Sequence, residues 1–206
     1  MLKKAFSAGA ILIFLAGLSA AQDVGHFDAS VAFGGVLGQT SNSSIHNVTI
    51  VPTNSALVLG SFRFRFNRTH GIVLNLGHTI DSQIYVLPPD NFRVQAKITE
   101  FSAAYMLSPF HFEKIEPFLL AGAGGLRFSP GKTYIDGFQS SLGAARQTSI
   151  AFLYGGGVDY PVWKFLGLRL QYRGLIYKEP NFHLQQFVTG ARGHMPEASI
   201  GVVYKF

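Results

Sequence analysis

Residues 166–177 read LGLRLQYRGLIY, and this stretch decides the fold. Apolar side chains such as Leu168 and Leu170 occupy alternate positions, and the charged side chains of Arg169 and Arg173 occupy the positions between apolar ones. Residues two apart along an extended strand lie on the same face of it. The stretch therefore predicts a β-strand with one apolar face and one charged face.

Seven further segments show the same alternation, and no segment has the period of a long amphipathic helix. Most of them exceed the roughly 5–6 residues of an ordinary globular strand. They match instead the roughly 9–11 residues that cross a bilayer at a tilt. The segments cover residues 26–36, 56–66, 71–80, 93–106, 116–128, 148–160 and 195–206.

The connections between these eight segments alternate in length. Long connections cover residues 37–55, 81–92, 129–147 and 178–194, and shorter ones cover residues 67–70, 107–115 and 161–165. Outer-membrane barrels have this pattern, because their periplasmic turns are short and their extracellular loops are long. The fold class that we predict is all-β, an eight-stranded antiparallel up-and-down transmembrane β-barrel with both ends in the periplasm.

The composition favours an apolar exterior. Charged residues make up 14% of the chain, against about 25% in soluble domains. Every backbone group inside a bilayer needs a hydrogen-bond partner, so the last strand must pair with the first and close the barrel. We expect the apolar faces to contact lipid and the charged faces to line the lumen. The net charge of +6 comes without a long Lys/Arg cluster, and we predict no nucleic-acid partner.

The N-terminal residues have the three parts of a secretory signal peptide. MLKK is a short basic region, AFSAGAILIFLAGL is apolar, and Ser19 and Ala21 supply the small residues of a cleavage site before Gln22. We therefore predict a signal peptide at residues 1–21 and a single outer-membrane β-barrel domain at residues 22–206.

Three segments carry a resemblance to a known family. They are EPFLLAGAGGLRF at residues 116–128, AFLYGGGVDYPVWKFLGLRLQYRGL at residues 151–175, and SIGVVYKF at residues 199–206. Together they resemble the small outer-membrane β-barrels of the OmpA/OmpX type. The resemblance implies that the protein lies in the cell outer membrane of a Gram-negative bacterium, in contact with outer-membrane lipid and lipopolysaccharide.

The resemblance also bears on assembly. A terminal aromatic residue after alternating apolar residues is similar to the signal by which the barrel-assembly machinery recognises its clients, and Tyr204 and Phe206 occupy the matching places. Periplasmic chaperones are the other partners that it implies during biogenesis. Residues 22–206 leave no room for the family's periplasmic peptidoglycan-binding domain, so we expect no anchoring to the cell wall.

Seven charged residues on the inward faces are candidates for a lumen charge network. An eight-stranded barrel is just wide enough for side chains to fill it, so buried charges there must pair or stay hydrated. We expect a packed polar plug, and the alternative is a narrow ion-conducting pore with Glu100 and Arg173 at its constriction. By strand direction the other candidates lie lower. The full set is Asp28, Arg63, Arg65, Glu100, Asp159, Arg169 and Arg173.

A lipid A-modifying enzyme is a second alternative function. Its site would need a serine nucleophile or an activated water, a histidine base and an acid that orients the base. None of the seven histidines stands in a His-x-Ser arrangement, and no Gly-x-Ser-x-Gly motif occurs. The histidines also lack HxH or HxxxH spacing, and there is no cysteine. We therefore predict no enzymatic activity, no catalytic residue, no cofactor and no metal site.

Two further features point to the membrane and the cell surface. Tyr160, Trp163 and Phe165 fall together at the periplasmic rim, where an aromatic girdle is expected. The long connections are rich in Ser, Asn, Gln, Gly and Thr, and loops held on a rigid scaffold commonly carry binding functions. We predict a structural or surface-interaction role carried by the long extracellular loops. Whether these loops bind an extracellular ligand stays open.

Overall fold

The structure is a computed structural model that describes residues 27–43, 48–110 and 112–206. The predicted signal peptide lies outside these residues. Eleven strands follow one another along the described chain. They are β1 Phe27–Val36, β2 Ser41–Asn42, β3 Thr49–Pro52, β4 Ser55–Arg65, β5 His70–Leu87, β6 Asp90–Leu107, β7 Glu116–Ile135, β8 Phe138–Gln139, β9 Gln147–Pro161, β10 Leu166–Lys178 and β11 Arg192–Lys205.

Eight of these strands form a closed antiparallel barrel, which confirms the predicted fold class. The order around the barrel is β1, β4, β5, β6, β7, β9, β10 and β11, and β11 pairs with β1 to close it. The closing ladder runs from Asp28 opposite Lys205 to Val36 opposite Glu197. The backbone amide of Phe206 extends this ladder by donating to the carbonyl of Phe27, at 3.0 Å. Closure leaves the barrel without an open edge.

The two faces of each barrel strand have opposite polarity, as the alternation predicts. In β10, Leu170 is 64% exposed, whereas Arg169 between two leucines is 2% exposed. The same contrast holds for Val31 and Ile200 against their inward neighbours Ser30 and Ser199. A water-soluble barrel has the reverse arrangement, whereas a transmembrane barrel has this one. No helix in the described part of the chain is long and apolar enough to span a membrane.

The two ends of the barrel differ. We call the end at which β1 begins and β11 ends the lower end, and the opposite end the upper end. Short turns close the lower end, between β4 and β5, β6 and β7, and β9 and β10. At the upper end, β5 and β6 have 18 residues each and β7 has 20, more than the roughly 9–11 that cross a bilayer. These three strands therefore project above the membrane-spanning part.

The expected long loop at residues 81–92 is wrong. Strands β5 and β6 stay paired as far as Leu87 and Asp90, so only Pro88 and Pro89 connect them. The expected loop at 129–147 likewise contains the end of β7 and the short strand β8, which turns back onto it through Asp136 and Gly137. Above the membrane the outer face no longer needs apolar residues, so the alternation that marks a strand disappears while backbone pairing continues.

The first upper connection adds two strands to the sheet. The ladder between β4 and β5 begins with Leu57 opposite Thr79, and above this level β3 is the partner of β5, from Gln83 to Val86. β2 pairs with β3 in turn. The upper part of β5 therefore has a neighbour on both sides and does not present a free edge.

Apolar side chains close the upper end of the lumen. The last upper connection carries a short 3-10 helix, Gln185–Phe187, whose Phe187 ring stacks on Tyr85 with centroids 4.2 Å apart. Phe182 meets Phe128 edge to face at 6.4 Å, and the Tyr85 hydroxyl donates to the carbonyl of Pro180 at 2.7 Å. We call Ile50, Tyr85, Phe128, Phe182 and Phe187 the upper core; each is at most 1% exposed.

Candidate functional site: the filled lumen

A dense group of ion pairs fills the lower part of the lumen. Arg169 binds Asp159 with two bonds, Nε–Oδ1 at 2.7 Å and Nη2–Oδ2 at 2.9 Å, and reaches Asp28 Oδ1 at 3.1 Å. Arg63 Nη1 donates to Asp159 Oδ2 at 2.9 Å, and its Nε lies 3.7 Å from Asp28 Oδ2. Register explains the contacts, because Arg169 lies directly opposite Asp159 and Arg63 directly opposite Asp28. All four side chains are buried.

The group continues to the lower mouth of the barrel. Arg65 Nη2 donates to Glu116 Oε2 at 3.0 Å, and Lys205 Nζ donates to Glu116 Oε1 at 3.1 Å. Arg65 also lies within 3.8 Å of Asp159. Glu116 and Lys205 are partly exposed, so these pairs lie where the lumen meets water.

One buried aromatic ring separates the lower group from the middle of the lumen. Phe118 of β7 is 2% exposed, and its ring lies 4.5 Å from the guanidinium carbon of Arg63 and 5.3 Å from that of Arg169. A guanidinium over a ring face is attracted by the ring quadrupole. Phe118 therefore fills the lumen and stabilises the two arginines at once.

The middle of the lumen is crossed by a single arginine. Arg173 binds Glu100 with two parallel bonds, Nη1–Oε1 at 3.0 Å and Nη2–Oε2 at 2.7 Å, and also binds Glu197 Oε2. Glu197 lies directly opposite Arg173 on the neighbouring strand, whereas Glu100 reaches it from β6, three strands away around the barrel. Gly77 leaves the room for Glu100, because a Cβ at this position would lie 2.7 Å from Glu100 Oε2.

A chain of neutral polar side chains extends this layer. Ser102 donates to Glu100 Oε1 at 2.6 Å, Asn75 Nδ2 donates to Ser102 at 3.1 Å, and Ser61 donates to Asn75 Oδ1 at 2.8 Å. All are buried. Polar groups removed from water need such partners. The ion pairs and this chain together fill the lumen at this level with buried, mostly hydrogen-bonded polar side chains.

The acids and bases of the lumen ion pairs balance one another in formal charge. The carboxylates are Asp28, Glu100, Glu116, Asp159 and Glu197, and the cations are Arg63, Arg65, Arg169, Arg173 and Lys205.

Two further carboxylates lie above the ion pairs, beneath the upper core. Asp81 accepts bonds from Thr53 Oγ1 at 2.8 Å and from the amide of Ser82 at 2.7 Å. Glu179 is approached by Ser41 Oγ and Gln83 Nε2, each at 3.4 Å. Burial raises the pKa of both carboxyl groups, that of Glu179 to about 7, where the nearby charge of Asp81 adds to the effect.

The structure places all seven predicted lumen residues inside the barrel and brings them into two groups. Asp28, Arg63, Arg65, Asp159 and Arg169 form the lower group, and Glu100 and Arg173 meet in the middle. Sequence reasoning missed several of their partners. Glu197 is two residues from the inward-facing Ser199 and therefore lies on the same face of the strand, so the sequence alone could have placed it in the lumen. Nothing in the sequence paired Glu116, Phe118 or Lys205 with another residue, so their contacts in the lumen were not predicted. Glu179 lies in a segment that was expected to be a loop.

The predicted girdle and assembly residues lie on the outer surface at the lower end. Trp163 is 71% exposed, and Tyr160 and Phe165 are about half exposed. Tyr204 lies against Phe165, at 6.5 Å between ring centroids, and against Phe206, at 5.0 Å. The aromatic side chains of the last strand therefore lie at the same level as the predicted girdle residues.

The described histidines lie outside the lumen or at its upper rim. His70 bonds to the Tyr105 hydroxyl, and His194 bonds to the Tyr154 hydroxyl at 2.7 Å. His78 lies 3.5 Å from Thr99 Oγ1, and His183 is exposed. Within residues 27–43, 48–110 and 112–206, no group of three or more metal-binding side chains could hold an ion.

Comparison with known proteins identifies the class of fold. The barrel is similar to the crystal structure of Neisserial surface protein A (NspA), with a TM-score of 0.58 and 19% identity over 90% of this chain and 100% of that one. It is similar also to the outer membrane protein OprG from Pseudomonas aeruginosa, with a TM-score of 0.58 and 13% identity over 88% of this chain and 96% of that one. The chain thus has the fold of the small outer-membrane β-barrels.

This likeness is one of fold. No protein-family model matches the chain, and no curated protein matches its sequence. The resemblance noted in the sequence is therefore confirmed at the level of the eight-stranded outer-membrane barrel.

Proposed function

We propose that this protein is an exported outer-membrane barrel with a closed lumen, and that its role is structural or interactive at the cell surface. The lower end then faces the periplasm and the upper end faces the medium. The observation that carries the proposal is the Arg173 bridge, which ties Glu100 on one wall to Glu197 on the other. A lumen bridged in this way supports a closed barrel over a conducting one.

The location rests on the polarity of the barrel surface. Apolar side chains cover the outside of all eight strands at mid-height, and an exposed apolar surface of this extent is stable in lipid and not in water. Two proteins of the same fold are described as a surface protein and an outer membrane protein. Export by a signal peptide at residues 1–21 belongs to this proposal.

The upper hairpins are the parts that would meet a partner. The β5–β6 hairpin ends at the exposed Pro88, Pro89 and Asp90, and the β7–β8 hairpin ends at Phe138. Phe138 is 80% exposed although it lies far above the apolar belt. An aromatic side chain held in water on a paired hairpin is a characteristic anchor of binding surfaces. The partner would be an extracellular ligand that covers this ring.

Two partners during biogenesis belong to the same proposal. Tyr204 and Phe206 lie exposed or half-exposed at the end of the closing strand, where the barrel-assembly machinery would recognise them. Periplasmic chaperones would hold the chain before that step.

A planar-bilayer experiment tests the closed lumen against the pore alternative. The full-length protein is purified from outer membranes and reconstituted, alongside Glu100→Ala. We expect no stepwise conductance from either protein, because Arg63, Arg169 and Phe118 still fill the lumen below the substitution. Regular single-channel steps from the wild type would overturn the proposal in favour of a pore.

Cell experiments test the location and the surface role. We expect the protein in the detergent-extracted outer membrane, and protease added to intact cells should cut the β7–β8 hairpin. Lipid A from cells with and without the gene should have the same mass spectrum, whereas a change of acylation would support the enzyme alternative. A soluble periplasmic pool would contradict the outer-membrane location.

A further inference from the structure

Four cations lie on the outside of the barrel just above its apolar belt. Lys97 is on β6, Arg127 on β7, Lys178 on β10 and Arg192 on β11. Each is exposed, and each is flanked along its strand by two buried inward residues. Their side chains therefore project away from the lumen. We call these four residues the upper basic band.

The members of the band are paired by strand register. Arg127 lies opposite Thr99, two residues from Lys97, so the two cations are diagonal neighbours. Lys178 lies directly opposite Arg192. Diagonal neighbours on a sheet are about 7–8 Å apart and direct neighbours about 5 Å apart. Like charges at these spacings repel each other, and an anion bound between them would relieve this repulsion.

In the described part of the chain, no carboxylate on the outer face forms an ion pair with these cations. None of the four cations takes part in a described ion pair. The described acids lie in the lumen, at its mouths, in the lower turns or at the upper hairpin tips. The nearest tip acid along β6, Asp90, is seven residues from Lys97, roughly 23 Å at the rise of a strand. An anion that binds this band would therefore come from outside the protein.

The residues around the upper basic band favour an amphiphilic ligand. Below it, Phe101, Ile150 and Ile176 are exposed apolar side chains on neighbouring strands, and Ile80 lies directly opposite Lys97. A ligand that joins acyl chains to an anionic head would contact both levels at once. Arginine binds phosphate through its planar fork and lysine through a point charge.

The band is also one-sided. The outer faces of β1 and β4 carry Val31, Phe33, Leu37, Ala56 and Val58 at the upper half, without a charge. A lipid that merely surrounded the barrel would not need cations confined to β6, β7, β10 and β11. The confinement indicates defined positions for the bound head groups.

We propose that the upper basic band binds the phosphate groups of lipid A, with Lys97 and Arg127 forming one site and Lys178 and Arg192 another. This inference rests on the proposed outer-membrane location, because only there does the upper rim meet the glycolipid leaflet. Each site holds one phosphate between two cations, while the acyl chains lie on the apolar side chains below.

Native mass spectrometry of the detergent-solubilised full-length protein tests the first site. The variant K97Q/R127Q is compared with K114Q/K164Q, which removes two exposed lysines from the lower turns and so matches the loss of charge. Bisphosphorylated lipid A, monophosphorylated lipid A and phosphatidylglycerol are the added lipids. Heat-modified gel mobility checks that each variant is folded.

We expect the wild type to bind two molecules of bisphosphorylated lipid A, and K97Q/R127Q to keep the one at Lys178 and Arg192 while binding the other about 30-fold more weakly, since each cation at an anionic lipid surface contributes roughly one factor of five to six. The control variant should bind as the wild type does, and removing one phosphate from the lipid should reduce the effect. Equal binding by wild type and K97Q/R127Q would overturn the proposal. Equal binding of phosphatidylglycerol would overturn the assignment to lipid A.

Cell fractionation separates this inference from the proposed function. If the wild type lies in the outer membrane and K97Q/R127Q binds lipid A normally, the lipid site is wrong and the location stands. If the protein binds lipid A through the band but fractionates elsewhere, the proposed location is wrong and the binding chemistry stands.

Discussion

Arg173 and Glu100 meet inside the lumen from strands that are three apart around the barrel and are joined by two parallel hydrogen bonds, at 3.0 and 2.7 Å. Glu197 binds the same guanidinium from the neighbouring strand. A bidentate pair fixes both the distance and the orientation of its members. The contact therefore acts as a cross-brace between β6 and β10, which are separated by β7 and β9, and through Glu197 it also reaches β11, which lies opposite β6 in the closed sheet.

Removing the brace should strongly destabilise the barrel. Arg173→Met leaves Glu100 and Glu197 buried without a cation, and breaking a buried ion pair costs about 3–5 kcal/mol. The measurement is the free energy of unfolding, from urea titration of the protein in lipid vesicles.

The triple variant Arg173→Met, Glu100→Gln, Glu197→Gln is the control for this prediction. It removes the charges on both sides, so it should recover most of the lost stability. A loss below about 0.5 kcal/mol in Arg173→Met, the level of a neutral surface change, would show that the brace does not stabilise the fold.

The sequence contained enough to predict the eight strands and which side chains point inward. Alternation is strict where one face meets lipid and the other a filled lumen, as in β10, so Arg169 and Arg173 could be assigned to the lumen. It does not tell which inward residues meet across the barrel. Glu100 and Arg173 are 73 residues apart in the chain, and only closure with this register brings them together.

The upper end was the part that the sequence did not reveal. Tyr85, Phe182 and Phe187 lie in segments expected to be loops, and their polar neighbours mask them. The structure buries all three rings in the upper core. Their pairing depends on how the connections fold back over the lumen, which no local pattern specifies.

Stability should fall as the pH rises toward neutral, because of Glu179. Its pKa is about 7 in the folded protein and 4.5 in the free side chain. Between these values the folded state binds a proton that the unfolded state has lost, so folding is favoured by low pH. The stabilising contribution of Glu179 is fully present below about pH 4.5, decreases as the pH rises from 4.5 to 7, and is lost above about pH 7. The free energy of unfolding falls by about 3 kcal/mol over this range.

Glu179→Gln tests this pH dependence. The amide cannot ionise, so the variant should lose most of the slope between pH 5 and 7 in the free energy of unfolding. Asp81, whose pKa is also raised by burial, would contribute to the remaining slope, while the nearby Tyr85 and Tyr177 stay neutral in this range. Glu113→Gln, at an exposed acid in a lower turn, should leave the slope unchanged. An identical slope in wild type and Glu179→Gln would contradict the assignment.

The upper core should depend on Phe187. Phe187→Ala removes a fully buried ring that stacks on Tyr85, and truncating a buried phenylalanine costs about 3–5 kcal/mol. The loss should free the last upper connection, so limited proteolysis of reconstituted protein should cut near residues 180–190 much faster than in the wild type. Phe138→Ala, at an exposed ring, is the matched control. Equal cleavage rates for all three proteins would show that the connection is held by other contacts.

Assembly in cells should depend on Phe206. If the terminal aromatic is the recognition signal, Phe206→Ala should lower the folded fraction in outer membranes several-fold, measured by heat-modified gel mobility. Spontaneous folding into vesicles should change little, because the ring lies at the surface. Phe110→Ala, which removes an exposed aromatic side chain of a lower turn, should assemble normally. Equal defects in cells and in vesicles would indicate a role in stability alone.

The opposite surroundings of Ser199 and Ile200 are the most direct test of the transmembrane arrangement. The chain has no cysteine, so a single introduced thiol can be followed. A spin label at Ile200→Cys should collide with oxygen, which dissolves in lipid, and not with a water-soluble nickel complex, because Ile200 is 59% exposed on the apolar face. The label at Gln186→Cys, in the exposed upper connection, should show the reverse preference.

The thiol of Ser199→Cys should resist modification in the folded protein and react once urea unfolds the barrel, because Ser199 is 5% exposed toward the filled lumen. The two residues are adjacent, so neither depth in the membrane nor local mobility can account for a difference between them. Only the alternation of a strand with lipid on one side and packed polar groups on the other produces it. A water-accessible label at Ile200→Cys together with a reactive thiol at Ser199→Cys would mean that the apolar face does not meet lipid.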